Sequence, residues 1–318
     1  MTPAVEAGVA EAYVDLRPLL FSIAYRMLGS VSEAEDVVQE SFVRYQRALA
    51  ERADGDGGTS VESPKAYLSA VVTHLAIDQL KSARVRRETY VGEWLPEPLV
   101  TDEGSGDPAA TAERADSLSM SFLVLLERLT PVERAVFLLH DVFDYSFDEV
   151  GRIVHKSPDN CRQQAVRARR FIADNRPRFD ADAKERDELL NRFFAAAQTG
   201  DVDGLIEVLA EDAIVYGDGG GKVPQWYAPI VGAENAARLF AGMGRQLTRL
   251  GATFERHEVN GQPGMLFRGP KGGVMSVMSF EVVGGRVKTI RSIVNPDKLR
   301  HLGAVESLRD VLERAKES

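Results

Sequence analysis

At 318 residues the chain exceeds one usual hydrophobic core, so two or three domains are expected. Hydrophobic content of 44% and charged content of 27% fit a soluble globular protein, and no run approaches the roughly 18 apolar residues of a membrane helix. The opening MTPAVEAGVAEAYVDL carries acids where a secretory signal needs cations, so a cytoplasmic protein with no membrane partner is expected, and the lone Cys161 excludes a disulfide framework or a cysteine metal cluster.

The net charge of −9 conceals a segregation of sign. Basic residues crowd 81–87 (Lys81, Arg84, Arg86, Arg87) and 156–178, whereas 91–116 carries Glu93, Glu97, Asp102, Glu103, Asp107, Glu113 and Asp116 against Arg114 alone. Residues 11–50 read as two helices. The first is built on Leu16, Leu19, Leu20, Ile23, Ala24 and Met27 and breaks at Gly29. Ser32-Glu33-Ala34-Glu35 reads as a capping box for the second, Glu33 to Leu49, in which Asp36, Gln39, Glu40 and Phe42 form D-x-x-Q-E-x-F. A glycine-rich loop, ERADGDGGTSVES, follows. Ser63-Pro64 then starts a long apolar helix whose exposed positions are expected to include Lys65, Tyr67, His74, Lys81, Arg84 and Arg87. Rings mixed with cations suit melted DNA, where bases stack and phosphates are neutralised.

Residues 88 to about 116 form an acidic linker containing Trp94-Leu95-Pro96-Glu97-Pro98, stiff and apolar enough to dock. Leu118 to Leu129 resumes a helix, and Thr130-Pro131-Val132-Glu133 opens another that runs to His140. Next come an apolar-periodic helix through Phe147, Val150, Ile153 and Val154, a stop at His155-Lys156, and Ser157-Pro158 beginning a basic helix from Asp159 to about Ala173. That helix turns Cys161, Ala165, Ala168 and Ile172 to one side and is expected to expose Asn160, Arg162, Gln163, Gln164, Arg167 and Arg170. Short helix, tight turn and longer basic helix make a helix-turn-helix, whose amides and guanidiniums match major-groove edges and phosphates.

After Pro177 an amphipathic helix through Leu189, Leu190, Phe193, Phe194 and Ala197 and a second from Val202 to Leu209 precede strands at 213–216, 253–259, 265–268, 273–283 and 286–293. A helix, Glu234 to Arg249, lies between the first two strands, and Asn260-Gly261 and Gly284-Gly285 are hairpin turns. Helices followed by a curved antiparallel sheet imply a separate α+β domain.

Three elements together resemble bacterial RNA polymerase sigma factors of the extracytoplasmic-function group: Asp36-Val37-Val38-Gln39-Glu40-Ser41-Phe42, the helix ending Leu75-Ala76-Ile77-Asp78-Gln79-Leu80-Lys81, and the helix-turn-helix at 146–173. The resemblance implies that Asp36, Gln39, Glu40 and Phe42 bind the β′ clamp of core polymerase, with the β flap a further contact. It assigns Lys65, Tyr67, His74, Asp78, Lys81, Arg84 and Arg87 to the −10 element. It assigns Ser157, Asn160, Arg162, Gln163, Gln164, Arg167 and Arg170 to the −35 element. Tyr67 stands where many relatives have Trp, and His74 where they often have Asn.

The C-terminal half looks like a SnoaL-like (NTF2-like) α+β roll, and the whole is similar to the SigJ-like subgroup. Three signatures of that subgroup are present: Trp94 to Pro98, Asp218-Gly219-Gly220-Gly221-Lys222, and Asn295-Pro296-Asp297-Lys298-Leu299. The implied multidomain organisation is an all-α sigma2 domain (8–88), an acidic linker (89–116), an all-α sigma4 domain (117–177), the roll (184–302) and a C-terminal helix or tail (303–318). The three signatures are read as a regulatory device in cis, with Lys222 reaching the acidic linker. Promoter DNA and core RNA polymerase are the expected partners. No cofactor, metal or separate anti-sigma factor is expected, and an unknown small ligand of the roll is left open.

Two alternatives stay open at this point: a ligand-responsive helix-turn-helix regulator, and a SnoaL-type enzyme fused to a DNA-binding domain. Tyr216, Asp218 and His257 are the residues an enzyme would use, although no spacing secures an acid-base pair, so no catalytic residue is assigned.

Overall fold

The computed structural model describes the backbone of residues 3–53, 61, 63–101, 117–175 and 183–317, and the side chains of 8–51, 61, 63–82, 89–101, 117–175 and 185–313. The chain divides into two compact units, residues 1–88 with 125–175 and residues 89–124 with 176–318. Among the described residues no helix is long and apolar enough to cross a membrane.

The first unit is all helical. Helices α1 (Pro3–Leu28), α2 (Val31–Ala53) and α3 (Pro64–Glu88) form an antiparallel bundle around Leu20, Ile23, Tyr25, Leu28, Val38, Leu68 and Val72, each nearly or fully buried. Gly29 at φ 66° makes the sharp break between α1 and α2. The cap of α2 lies two residues earlier than the sequence suggests. Ser30 Oγ, not Ser32, accepts from Glu33 N at 3.1 Å, because the chain has already turned at Gly29.

A short helix α4 (Met120–Leu126) precedes α5 (Pro131–Phe137), which has the expected Thr130–Glu133 capping box and runs into one π turn, Leu138–Val142. Helix α6 (Phe147–Val154) is closed by a Ser146–Glu149 capping box, and α7 spans Pro158–Asn175. His155 at φ 54° ends α6, and the turn to α7 passes so close that a Cβ on Gly151 would lie 2.7 Å from the Lys156 carbonyl oxygen. The bundle and the helix-turn-helix also pack on each other within this unit. Arg134, 2% exposed, donates to the Met27 carbonyl at the open end of α1 and pairs with Glu127 at 2.8 Å. Burial lowers Arg134 to about 9, so it stays charged at neutral pH.

The second unit is built on a six-stranded sheet ordered β2-β1-β6-β5-β4-β3: β1 (Leu209–Asp218), β2 (Ile230–Val231), β3 (Thr253–Val259), β4 (Gln262–Arg268), β5 (Val274–Val283) and β6 (Arg286–Ile293). The sheet is mixed, not antiparallel throughout as the strand spacing suggested, because β1 pairs with β6 in parallel. The chain leaves β1 through helix α10 (Ala233–Arg249) and returns by the β3–β6 meander, whose reversals set β6 alongside β1 in the same direction. Both expected hairpin turns have the paired positive φ of a type I′ turn: Asn260 and Gly261 at 55° and 65°, Gly284 and Gly285 at 57° and 70°.

One face of the sheet is covered by α8 (Ala183–Thr199), α9 (Val202–Val208) and α10, with Phe193, Phe240 and Phe280 at its centre. The other face is covered by the linker. Leu95 and Met120 pack on Val259, Leu266, Val277 and Ile293 together with Leu299. Val100 bridges Val259 at the open edge of β3, so part of the linker extends the sheet. Two short 3₁₀ turns, Pro296–Lys298 and Arg300–Leu302, lead to helix α11 (Leu308–Glu317).

Gly151→Ala forces a methyl into backbone rather than into a yielding side chain, so it should destabilise the first unit by about 1–3 kcal/mol. Gly242→Ala, on α10 with nothing within 4 Å, should be neutral or stabilise by about 0.5–1 kcal/mol. Thermal unfolding of both variants checks the contrast.

Candidate functional site

Asp36, Gln39 and Glu40 lie at i, i+3 and i+4 on α2, with the first two exposed and Glu40 paired to Arg44 at 2.8 Å. Phe42 departs from the expected surface stripe. It is 6% exposed and its ring packs at 4.9 Å from Tyr13, because Val38, Phe42 and Tyr45 make the inner face of the same helix.

On α3 the seven residues expected at the −10 element are not one surface. Asp78 and Lys81 are exposed and paired at 2.9 Å. Tyr67 and His74, expected on the surface, are half-buried: Tyr67 lies 5.9 Å from Tyr45, and the His74 Nε2 is bonded to the Ile153 carbonyl while its ring stacks on His155. Lys65 sits over the Tyr145 ring at 5.3 Å, and Ser69 bonds the Tyr145 hydroxyl at 2.7 Å. This face of α3 is therefore occupied by the first helix of the helix-turn-helix and the turn before it. The side chains of Arg84 and Arg87 lie outside the described residues.

On α7, Ser157 caps the helix by accepting from Asn160 N at 3.2 Å. Asn160, Arg162, Gln163, Arg167 and Arg170 are exposed. Gln164 is not: it is buried and donates to Asn160, because it falls in phase with Cys161, Ala165 and Ala168 on the packed side. Arg162 pairs with Asp159 and lies 5.5 Å from the Phe147 ring centre, and Arg167 lies 3.6 Å from Glu133. Cys161 is fully buried, and burial pushes its thiol up from its ordinary value.

The third constellation is inside the second unit, where the linker meets the roll. Asp218, at the end of β1 and 0% exposed, pairs with Lys298 Nζ at 2.7 Å, accepts the Leu95 amide at 2.9 Å and accepts the Tyr90 hydroxyl. Lys298 also donates to the Leu95 carbonyl and lies 4.2 Å from the Trp94 ring centre. Asn295 Nδ2 donates to the Tyr90 oxygen at 2.9 Å, while its Oδ1 caps the 3₁₀ turn through Asp297 N at 3.1 Å. Burial first, then the Asp218 charge and hydrogen bond, raise Tyr90 well above the ordinary phenol range.

Glycine is required in the loop after Asp218. Gly220 has φ 56°, and a Cβ there would lie 2.3 Å from Asn295 Nδ2 and 3.0 Å from the Tyr90 oxygen. Among the described residues Lys222 pairs with Asp297, Lys298 holds the described start of the linker, and the acids at 102–116 lie outside the described residues. The Pro98 carbonyl accepts from His301 Nε2 at 2.7 Å, with buried Glu97 beside the same ring. Beyond its place in the hairpin turn, Asn260 accepts from Leu99 N at 2.9 Å and donates to the Leu118 carbonyl at 3.1 Å, so one side chain holds the linker near its start and the chain just after it.

The three residues an enzyme would use do not converge. Asp218 is consumed by the linker contacts, the Tyr216 ring lies under Arg291, and His257 stands beside Glu255 on the far edge strand.

Three comparisons bear on this arrangement. The Sigma-70 region 2 family matches residues 12–86, the Sigma-70 region 4 family residues 119–172, and the SnoaL-like domain family residues 190–290. The chain is 35% identical over 294 residues to the ECF RNA polymerase sigma factor SigJ of Mycobacterium tuberculosis, covering 89% of this chain and 90% of that protein. It is 30% identical over 298 residues to the probable ECF RNA polymerase sigma factor SigI of the same species, covering 93% and 96%. The crystal structure of Mycobacterium tuberculosis SigJ is similar with a TM-score of 0.70 and 32% identity, over 92% of this chain and 98% of that one. The chain belongs to the extracytoplasmic-function sigma factors, which direct RNA polymerase in transcription initiation, and it carries a SnoaL-like domain after its two sigma regions.

Proposed function

We propose that this sigma factor is regulated in cis, by the grip of its SnoaL-like domain on the segment that joins the two DNA-reading modules. The observation that carries this reading is the buried Asp218–Lys298 pair, which holds Leu95 through both its amide and its carbonyl. A promoter with separate −10 and −35 elements requires the two modules to stand apart, whereas here α3 and the helix-turn-helix share a face through His74, Ser69 and Tyr145. The linker contacts and the α3 contacts would together favour the shut arrangement over the polymerase-ready one. Restraint within one chain needs no separate anti-sigma factor, and it leaves Tyr216, Asp218 and His257 structural rather than catalytic. The protein acts in the cytoplasm, where core polymerase is found.

In this reading Asp36, Gln39 and Glu40 meet core polymerase. The exposed Asp78 and Lys81, with Arg84 and Arg87, serve the −10 element, joined by Lys65, Tyr67 and His74 once α3 is released. Ser157, Asn160, Arg162, Gln163, Arg167 and Arg170 face the −35 element, with Gln164 orienting Asn160 from the buried side.

Run-off transcription with core polymerase on a mapped promoter tests the whole scheme, and absence of promoter-dependent product would end it. Tyr90→Phe removes the hydroxyl that Asp218 and Asn295 share. It should raise run-off output by about fivefold, the scale of a coupling near 1 kcal/mol, with an unchanged circular dichroism spectrum. Unchanged or lower output would argue against restraint by the linker.

Asp36→Ala and Gln39→Ala should abolish capture by core polymerase without moving the unfolding temperature. Phe42→Ala should instead cost about 3–5 kcal/mol of stability, because its ring is core.

The raised Tyr90 phenol gives a pH signature. Its folded value lies above its unfolded one, so its stabilising contribution is complete below about pH 10 and is lost as pH rises beyond that, as the freed phenol ionises. Alkaline unfolding followed by tyrosinate absorbance should be less steep in Tyr90→Phe by up to one proton.

A further inference from the structure

The outer face of α7 carries one side chain that neither the fold nor the residue roles above explain. Val166 is 61% exposed, and the helical period sets it with Asp159, Arg162, Gln163 and Arg170 on the stripe opposite the packed side of Cys161, Ala165 and Ala168. A β-branched side chain gives up rotamer freedom in a helix, and this one buries little in return.

Its charged neighbours are already occupied within the protein. Arg162 pairs with Asp159 and lies over the Phe147 ring, Arg167 is 3.6 Å from Glu133, Arg169 pairs with Asp141, and Arg170 is 3.9 Å from Asp174. Exposed pairs of this kind are weak, so these guanidiniums can be exchanged for phosphates at small cost. Asn160 is bonded by Gln164. Among the described residues, Gln163 is the one polar side chain of this stripe with no such partner, and it stands three positions before Val166. Side chains at that spacing lie side by side, about 5–6 Å apart at Cβ. The fold thus leaves one amide and one isopropyl group together at the centre of a basic face.

We infer that Val166 is a base-reading residue, whose branched methyls meet the C5 methyl of a thymine in the −35 element, beside an adenine taken by the Gln163 amide. The major groove shows hydrogen-bonding edges at every base pair but only one apolar group, the thymine methyl. Against any other base an isopropyl group would cover donors and acceptors without replacing their hydration. Val166 therefore selects thymine by attraction and rejects the alternatives by desolvation. This role rests on the reading that α7 faces the −35 element, and it adds the base that one residue selects there.

The test uses holoenzyme formed from the full-length chain and core polymerase, bound to a promoter mapped by run-off transcription. Each thymine of the −35 element, on either strand, is replaced singly by deoxyuridine, which keeps the base-pair hydrogen bonds and lacks the methyl, and the fragments compete for binding. One replacement should weaken binding about fourfold, the scale of one methyl group left in water. Val166→Ala should bind the unmodified promoter about that much less tightly and be indifferent to that one replacement, whereas Val166→Ile should keep the discrimination. Gln163→Ala should weaken binding yet leave the preference for the methyl intact. If no replacement matters, or if Val166→Ala keeps the discrimination, Val166 does not read thymine. The joint variant Arg167→Ala, Arg170→Ala separates the two levels. Unchanged promoter binding by it overturns the reading of α7 and the role of Val166 together, while weakened binding alongside either failure overturns the role of Val166 alone.

Discussion

Asp218 is a carboxylate with no solvent exposure, and the second unit is arranged to make that tolerable. Moving such a group out of water costs several kcal/mol unless charge and hydrogen bonds replace its hydration. Here the replacement comes from two distant parts of the chain: an ammonium from the turn after β6, and an amide and a phenol from the linker. Asn295 then fixes the phenol, and the glycine loop gives Asn295 room. No member can leave without stranding a buried charge or donor, so the linker is held by a group that is costly to leave unsatisfied rather than by apolar contact alone.

The linker also completes the sheet that holds it. Leu95 and Met120 cover a face that would otherwise present Val277, Ile293 and Leu266 to water, and Val100 occupies part of the free edge of β3. The SnoaL-like roll and the segment 89–124 are accordingly one folding unit, although sequence order assigns that segment to the space between two sigma regions.

Much of this was legible where the signal is local. Thr130-Pro131-Val132-Glu133, Ser157-Pro158 and the two hairpin pairs name their own geometry, because a cap or a positive φ depends on a few neighbouring residues. Phase errors arose where motif spacing competed with helix periodicity. Phe42 shares the 38, 42, 45 stripe and Gln164 the 161, 164, 165, 168 stripe, and both are buried on that side. The rest was out of reach for a different reason. His74 meets Ile153, Lys298 meets Leu95, and β1 lies parallel to β6. Each is a long-range pairing that no window of sequence contains.

The protein has only two tryptophans, and their placement gives it a built-in optical readout. Trp94 lies against the Lys298 ammonium in the linker contact, whereas Trp226 packs against the apolar core on the opposite face of the same sheet. A cation over one indole and an apolar wall around the other give them different emission environments. With Trp226 replaced by phenylalanine, the emission of Trp94 alone would follow the linker contact in the unlabelled full-length chain.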